Sequence, residues 1–231
     1  MVSIGNRHMD SDPRTAPGED VPRRFPLRFL ALALVVFPSS ACGNPFVNDP
    51  VEVEELSTSH DGASALVVGH VEGDVDVVGG AEFTVERTVR SNDGRDPSDR
   101  VDQDDGTVSV EAECPSVFGT STCEVDYRIT VPPDVTVTIQ TPASAVRVTD
   151  VSAAVDVSTD SGSIEVSGAL SELAASSASG DIAVEVPSDS GPYQMSVKTT
   201  NGHPEIEVPE ADDGIPLDLS TDSGSITVHA P

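Results

Sequence analysis

Serine and aspartate recur together in this chain, and both residue types can carry chemistry. The segment TDSGSI occurs twice and places Ser161 and Ser223 directly before a glycine and directly after an aspartate. A serine nucleophile needs a base beside it and a strained turn, of which GxSxG is the usual sign. The chain contains no GxSxG, GxGxxG or P-loop sequence. Because serine and aspartate are also common turn residues, we interpret both segments as turns and expect no enzymatic activity.

Three aspartates just before Gly106 resemble the start of a calcium-binding loop. If Asp102 is counted as the first position, Glu113 falls at the twelfth, where such a loop has its bidentate glutamate. Gly106, however, lies where an oxygen ligand is needed, and Thr107 lies where the sharp turn needs glycine. The five histidines are scattered without metal-ligand spacing. We therefore predict a solvated acidic loop and no cofactor, which leaves only weak binding of divalent cations to the acidic surface.

Cys42 follows a segment that is typical of exported proteins. Three arginines precede the apolar run FLALALVVF at residues 29–37, and small residues lead from that run to Cys42. A positive segment, a short apolar segment and small residues form a secretory signal. Cys42 here resembles the lipidated cysteine of bacterial lipoproteins, although Ser39 stands where leucine is usual. We predict an exported protein anchored by lipid on Cys42 at the outer face of the cell membrane, with secretion or a signal anchor as alternatives.

The other two cysteines, Cys114 and Cys123, are separated by the turn-rich sequence PSVFGTST. They form no CxxC pair, and no histidine cluster lies near them in the sequence. An exported location permits disulfide formation. We therefore predict a local disulfide between them.

The charge of the chain limits its partners. Forty acidic residues stand against 12 lysines and arginines, which gives a formal net charge of −28. Such a surface repels nucleic acid and anionic lipid headgroups and attracts basic partners or divalent cations. Solubility or adaptation to high salt explains the same composition.

The sequence divides into three parts. Residues 1–42 contain a polar extension and the signal segment, with Met9 as a second candidate start. Residues 43–60 resemble a tether that includes one short strand near Val51–Val53. Residues 61–231 show the period-two alternation of apolar and polar residues that is typical of strands, and we predict that they form a β-repeat domain.

The composition of the β-repeat domain predicts a thin core. Tryptophan is absent and aromatic residues make up 3% of the chain, so the core must consist of small and β-branched side chains, which favour strands. Two segments lack the strand pattern. The polar and acidic composition of residues 91–106 predicts a loop, and Ala169–Ala175 is the best candidate for a short helical turn.

A repeat is the most informative feature of the sequence. Five units align on a small turn residue, with apolar residues seven and five positions before it and a hydroxyl residue three before it. In most units apolar residues return two and four positions after it. The unit of Gly202 instead has Pro204 and then Ile206 at these positions. The turn residues, which we call anchors, are Ser144, Gly162, Gly180, Gly202 and Gly224, and Gly73 marks a weaker sixth copy with His70 at the hydroxyl position.

The anchors are 18 to 22 residues apart, a spacing typical of stacked repeat architectures. Each unit predicts a strand, a tight turn and a second strand, and neighbouring units bury each other's apolar face. We expect the glycine anchors to supply positive φ and the hydroxyls to form a ladder along one edge of the stack. The predicted fold is all-β, a β-solenoid-like stack, with an antiparallel hairpin array or a β-sandwich as alternatives.

Several segments carry a resemblance to a known family. They are GDVDV, TVSVEAEC, CEVDYRITVPPDVTVTIQT and the repeated TDSGSI, between Leu66 and His229. This order resembles the bacterial putative-adhesin domain of unknown function that is built from β-strand repeats. The resemblance implies an envelope protein with a right-handed β-solenoid-like fold, and it brings no catalytic residues.

Two functions follow as hypotheses. The first is a non-catalytic adhesion or binding module on an envelope lipoprotein, whose partner is an envelope protein or a glycan, since stacked repeats offer extended surfaces. The second is a structural or stress-sensing envelope component that works with a membrane partner.

Overall fold

The computed structural model of the protein describes residues 50–92, 96–115 and 122–231. These residues form seventeen β-strands and no helix. None of the described segments is therefore an apolar helix long enough to cross a bilayer. The predicted signal segment and the predicted lipidation site Cys42 lie outside the described residues.

The strands follow one another closely along the chain. They are β1 (Glu52–Ser59), β2 (Ala65–Gly69), β3 (Val75–Gly79), β4 (Thr84–Ser91), β5 (Ser98–Asp104), β6 (Thr107–Glu113), β7 (Cys123–Val131), β8 (Thr136–Thr141), β9 (Val146–Thr149), β10 (Ala154–Ser161), β11 (Ile164–Ser167), β12 (Glu172–Ser179), β13 (Ile182–Glu185), β14 (Tyr193–Asn201), β15 (Pro204–Glu207), β16 (Ile215–Ser223) and β17 (Ile226–His229).

Two sheets contain all of these strands. Sheet A has nine strands in the order β1-β4-β7-β3-β9-β11-β13-β17-β15, and sheet B has eight in the order β14-β16-β12-β10-β8-β2-β6-β5. In each repeat unit the first strand lies in sheet B and the second in sheet A, so that β10, for example, turns into β11. Neighbouring units pair in parallel within both sheets. This arrangement confirms the predicted all-β, solenoid-like fold and contradicts the hairpin-array alternative.

The core lies between the two sheets and is as thin as the composition predicts. Along β10, Val155 and Val157 are buried while Asp156 between them is exposed. Val155 lies beside Leu173, and Val157 lies beside Ala175, in the neighbouring strand β12. Equivalent positions therefore stack as apolar ladders, which is how a unit with one apolar face buries it.

The spatial order of the units differs from their order in the chain at both ends of the stack. Strands β2 and β3 lie between β6–β7 and β8–β9, and the last unit, β16–β17, lies between β12–β13 and β14–β15. The unit with Pro204 thus forms the outer edge. Proline lacks a backbone N–H and suits an edge strand, and Lys198, Glu205 and Glu207 add the charges that protect such edges from pairing with other strands.

Three segments fold differently from the sequence-based expectation. Residues 91–106, predicted as a loop, contain β5, which forms an antiparallel hairpin with β6. Ala169–Ala175, the candidate helical turn, instead leads into β12, because Leu173 and Ala175 complete the apolar ladder. Residues 43–60, predicted as a tether with one short strand near Val51–Val53, contain a longer strand, β1, which pairs with β4 along its whole length.

Candidate functional site

The anchors meet at one corner between the two sheets. A Cβ added at Gly162 would lie 1.9 Å from the carbonyl oxygen of Ser144, and one added at Gly180 would lie 2.0 Å from that of Gly162. The same relation joins Gly224 to the carbonyl of Gly180 at 2.1 Å and Gly202 to that of Gly224 at 1.7 Å. Each anchor therefore packs directly on the backbone of the anchor in the neighbouring unit.

This close approach corrects the role that the sequence predicts for the anchor glycines. Positive φ occurs at Gly224, with φ 157, and not at Gly162, Gly180, Gly202 or Gly73. The glycines are needed because a Cβ would collide with a backbone carbonyl. Gly73 fits the same rule, since its Cβ would lie 2.3 Å from the carbonyl oxygen of Val125.

Ser144 is the anchor that carries a side chain. Its hydroxyl is buried and donates a hydrogen bond of 2.9 Å to the carbonyl oxygen of Val71, in the unit that contains Gly73. The serine thus joins its unit to the out-of-order unit formed by β2 and β3.

The hydroxyls three positions before the anchors form part of the expected ladder. Ser177 donates to the carbonyl of Gly162 at 3.1 Å, Thr221 to that of Gly180 at 3.0 Å, and Thr199 to that of Gly224 at 3.0 Å. The Oγ1 atoms of Thr141 and Thr159 are buried without a hydrogen-bond partner among the described residues. The hydroxyls of Ser177, Thr199 and Thr221 therefore join neighbouring units, so the predicted ladder is formed in part.

The serines and aspartates that were considered as catalytic candidates lie in the turns beside the anchors. Ser161 and Ser223 are both exposed at the ends of their strands. Asp181 accepts a hydrogen bond of 2.7 Å from the backbone N–H of Ser225, so its side chain joins its turn to that of the neighbouring unit. Within residues 50–92, 96–115 and 122–231, no three His, Cys, Asp or Glu side chains gather as a metal site.

The segment that resembles a calcium loop is the β5–β6 hairpin. Asp105 and Gly106 form its turn, with φ values of 45 and 78. Positive φ at both central residues is typical of a type I′ hairpin turn. The strand pairing aligns Asp102 with Ser109 and Asp104 with Thr107, so the backbone has the geometry of a hairpin and not of a wrapped loop.

Cys114 and Cys123 form a disulfide with a Cα–Cα distance of 5.8 Å. Cys114 follows β6 of sheet B and Cys123 begins β7 of sheet A. The bond therefore joins the two sheets at the turn of one unit.

The outer face of sheet B carries a shallow polar groove of about 270 Å³. The strand register aligns Lys198, Ser220, Ser176 and Ser158 in one row across four neighbouring strands. The hydroxyls of Ser176 and Ser158 lie 3.2 Å apart. Two aspartates, Asp160 and Asp222, also line the groove. We call this surface the hydroxyl groove, and it offers donors and acceptors at the regular spacing of the strands, roughly 4.8 Å.

Lys198 distinguishes the hydroxyl groove from the rest of the surface. Among the described lysines and arginines it is the one without an ion pair, since the others form salt bridges: Arg87, Arg90, Arg100, Arg128 and Arg147. An exposed ammonium group with three N–H donors and hydroxyl neighbours can bind hydroxyl or carboxylate oxygens.

The outer face of sheet A is different, because the arginines on it are paired with carboxylates. Glu86, Arg128, Asp76, Arg147 and Glu165 follow one another in a row across five strands. Arg128 lies 2.9 Å from Asp76, and Arg147 lies 2.7 Å from Glu165. The hydrogen bond from Arg147 to Glu165 raises the pKa of Arg147. This row holds the strands together and leaves few free donors for a ligand.

One end of the stack consists of β1, β4 and β5, and we call it the β1 end. A half-buried cluster of side chains lies near it. The Nε atom of Arg87 is 3.0 Å from one oxygen of Asp99, and the hydroxyl of Tyr127 donates to the other oxygen at 2.5 Å. Burial, together with the hydrogen bond to Asp99, raises the pKa of Tyr127. Both oxygens of Asp99 are therefore occupied, which marks the cluster as a structural link between β5, β4 and β7.

The two-sheet fold of the chain is similar to that of a solved structure. The structure is similar to that of a putative cell adhesion protein from Clostridium sporogenes, with 10% identity over 79% of this chain and 100% of that chain and a TM-score of 0.61. Putative adhesins from Bacteroides fragilis and Parabacteroides distasonis also align, at 11% and 10% identity, over 77% and 76% of this chain and 97% of each of theirs, both with a TM-score of 0.35. No curated protein sequence matches the chain.

The family comparison covers the five aligned units. Residues 135–231 match Toastrack DUF4097, a range that begins directly before β8 and ends after β17. The matched range contains the strands of the five units that the anchors define. From residue 135 to residue 231 the chain is therefore similar to Toastrack DUF4097 domains.

Proposed function

We propose that the protein is a non-catalytic adhesion module of the cell envelope that holds a polysaccharide on the outer face of sheet B. The observation that carries the proposal is the hydroxyl groove, where Lys198 and a row of serines lie in register across four strands. The similar protein from Clostridium sporogenes is described as a putative cell adhesion protein, which supports an adhesive role and a location outside the cell.

The chemistry of the hydroxyl groove favours a polyhydroxylated ligand. Serine hydroxyls both donate and accept hydrogen bonds, whereas Asp160 and Asp222 accept them from sugar hydroxyls and Lys198 donates. A polymer laid across the strands meets the same groups at each strand, about every 4.8 Å. Because the groove is shallow and open, each contact is weak, and affinity comes from repetition along the polymer.

The test compares two lysine substitutions in adjacent strands of one unit. Ser176→Lys, on β12, fills the hydroxyl groove, whereas Ala183→Lys, on β13, makes the same change in charge on the outer face of sheet A. The assay is co-sedimentation with insoluble cell-wall polysaccharide. We expect the unmodified protein and Ala183→Lys to sediment with the polymer and Ser176→Lys to stay in solution. Failure of the unmodified protein to sediment, or equal behaviour of the two variants, would refute the proposal.

We further propose that the module is attached to the membrane through lipid on Cys42. The support is the signal-like segment at residues 29–37 and the small residues that precede the cysteine. Metabolic labelling with a fatty acid should label the native protein but not Cys42→Ser, and the variant should leave the membrane fraction. A Cys42→Ser protein that still sediments with membranes would contradict lipid anchoring.

A further inference from the structure

The two sheets end unequally. When their strand orders are compared from the β15 and β14 ends, the strands correspond one to one as far as β4 in sheet A and β5 in sheet B. Strand β1 then extends sheet A by one more strand, and no described strand of sheet B lies opposite it. One edge of β5 is likewise without a strand partner among the described residues. An unpaired edge presents backbone N–H and C=O groups to which another chain can pair.

A cleft of about 680 Å³ lies at this place. The register of β1 and β4 aligns Glu52 with Ser91, Glu54 with Val89, and Leu56 with Arg87. These side chains line the cleft together with Val53, Asp96, Pro97 and Asp99. The cleft therefore lies between β1, β4 and the start of β5, and β5 contributes Asp99 to its lining.

The charged side chains of the cleft indicate the charge of a ligand that would bind there. Arg87 is paired with Asp99, and the second oxygen of Asp99 accepts the hydroxyl of Tyr127. Glu52 and Glu54 form no ion pair with any described residue, and Asp96 accepts a hydrogen bond from Ser91. The unpaired charge in the cleft is thus negative, which favours a basic partner and disfavours an acidic one. A second copy of this chain, with its net charge of −28, is a poor occupant.

We propose that the β1 end binds an extended basic segment of a partner protein, which adds to the free edge of β5 as a ninth strand of sheet B. Because successive side chains of a strand point to opposite faces, a segment fits best when lysine or arginine occupies every second position, with strand-forming residues such as valine between them. Its inward basic groups face Glu52 and Glu54, and its backbone pairs with β5. This site is separate from the hydroxyl groove, so it adds a protein partner to a module proposed to bind polysaccharide.

A fluorescein-labelled ten-residue peptide that alternates lysine and valine provides the test, with binding followed by fluorescence anisotropy. Glu54→Lys should weaken binding by about tenfold, because it places a like charge inside the cleft. Glu55→Lys is the matched control. Glu55 is the next residue of β1, is equally exposed, and lines a different cleft on the opposite face, so this variant should bind the peptide within about twofold of the unmodified protein.

Two further peptides and one measurement on the protein alone complete the design. A peptide that alternates glutamate and valine should not bind. A lysine–valine peptide methylated on alternate backbone nitrogens should also fail, because it cannot donate to the edge of β5. Equal losses for Glu54→Lys and Glu55→Lys would indicate general charge attraction and overturn the proposal. So would retained binding of the methylated peptide, or a β1-dependent dimer of the protein alone in analytical ultracentrifugation. Circular dichroism confirms that both variants fold.

Discussion

Gly162→Ala tests whether close packing of the anchors holds the stack together. The added Cβ would lie 1.9 Å from the carbonyl oxygen of Ser144, whereas real Cβ atoms essentially never approach a neighbour within 3.0 Å. The two units must therefore move apart by about 1 Å. That movement strains the hydrogen bonds between these two units, from Ser161 to Pro142, 3.0 Å long, and from Val146 to Ser163, 2.9 Å long.

Overpacking of this kind lowers the free energy of unfolding by about 1–3 kcal/mol, and each hydrogen bond weakened adds up to about 1 kcal/mol. We expect a total loss of about 3 kcal/mol for Gly162→Ala. For a domain of this size, such a loss lowers the melting temperature by roughly 6–12 °C. Urea denaturation followed by circular dichroism measures the free energy, and differential scanning calorimetry measures the temperature.

Gly69→Ala is the matched control. Gly69 lies in β2, its φ is not positive, and a Cβ there would meet no atom within 4 Å. Removing a glycine at a compatible site restricts the unfolded chain and raises the free energy of unfolding by about 0.4–1 kcal/mol. If Gly162→Ala proved as stable as Gly69→Ala, the close approach of the anchors would not be a stabilising contact, and the steric explanation for the repeated glycines would be wrong.

Three further predictions concern the interior and the disulfide. Thr221→Val should lower the free energy of unfolding by about 1 kcal/mol, because it removes the hydrogen bond to the neighbouring anchor. Thr159→Val should not lower it, because Thr159 is equally buried but its hydroxyl is unpaired. Equal losses of the two variants in urea denaturation would contradict the hydroxyl ladder. Replacing Cys114 and its partner by alanine should cost about 2–3 kcal/mol for a loop of this length in the same assay, and an unchanged midpoint would argue against a stabilising bond. The pKa of Tyr127 is raised in the folded protein, so its contribution to the free energy of unfolding is complete below pH 10. Above pH 10 that contribution declines by about 1.4 kcal/mol per pH unit as the unfolded tyrosine ionises. Tyr127→Phe should lack this decline, and parallel profiles of stability against pH for the two proteins would refute the shift.

Local pattern was enough to predict the repeat and the fold class. Alternation of apolar and polar residues identifies strands because their side chains point to opposite faces, and the regular spacing of the anchors identifies units that stack. The same reasoning failed at Ala169–Ala175. Small residues there lack a strong preference of their own, and the neighbouring apolar ladder through Leu173 and Ala175 decides their conformation.

The candidate binding surfaces were less accessible to prediction. The row of Lys198, Ser220, Ser176 and Ser158 joins positions that are far apart in the chain, and it exists because β16 lies between β12 and β14. Nothing in the spacing of the units indicates that exchange of order. A signal was nevertheless present in the unit of Gly202, whose Pro204 and missing apolar residue mark it as an edge.

The sequence by itself determined that the chain forms stacked strand–turn–strand units with a thin valine-rich core, because burial in a strand depends on residue type and a period of two. The tertiary structure decided the order of the units, the role of the anchors and the unequal ends of the two sheets. The anchor glycines show the physical reason. Gly162 was expected to supply positive φ, a local property, but it is required because the carbonyl of Ser144 in the neighbouring unit leaves no room for a Cβ, and a contact between units is visible only once they are stacked.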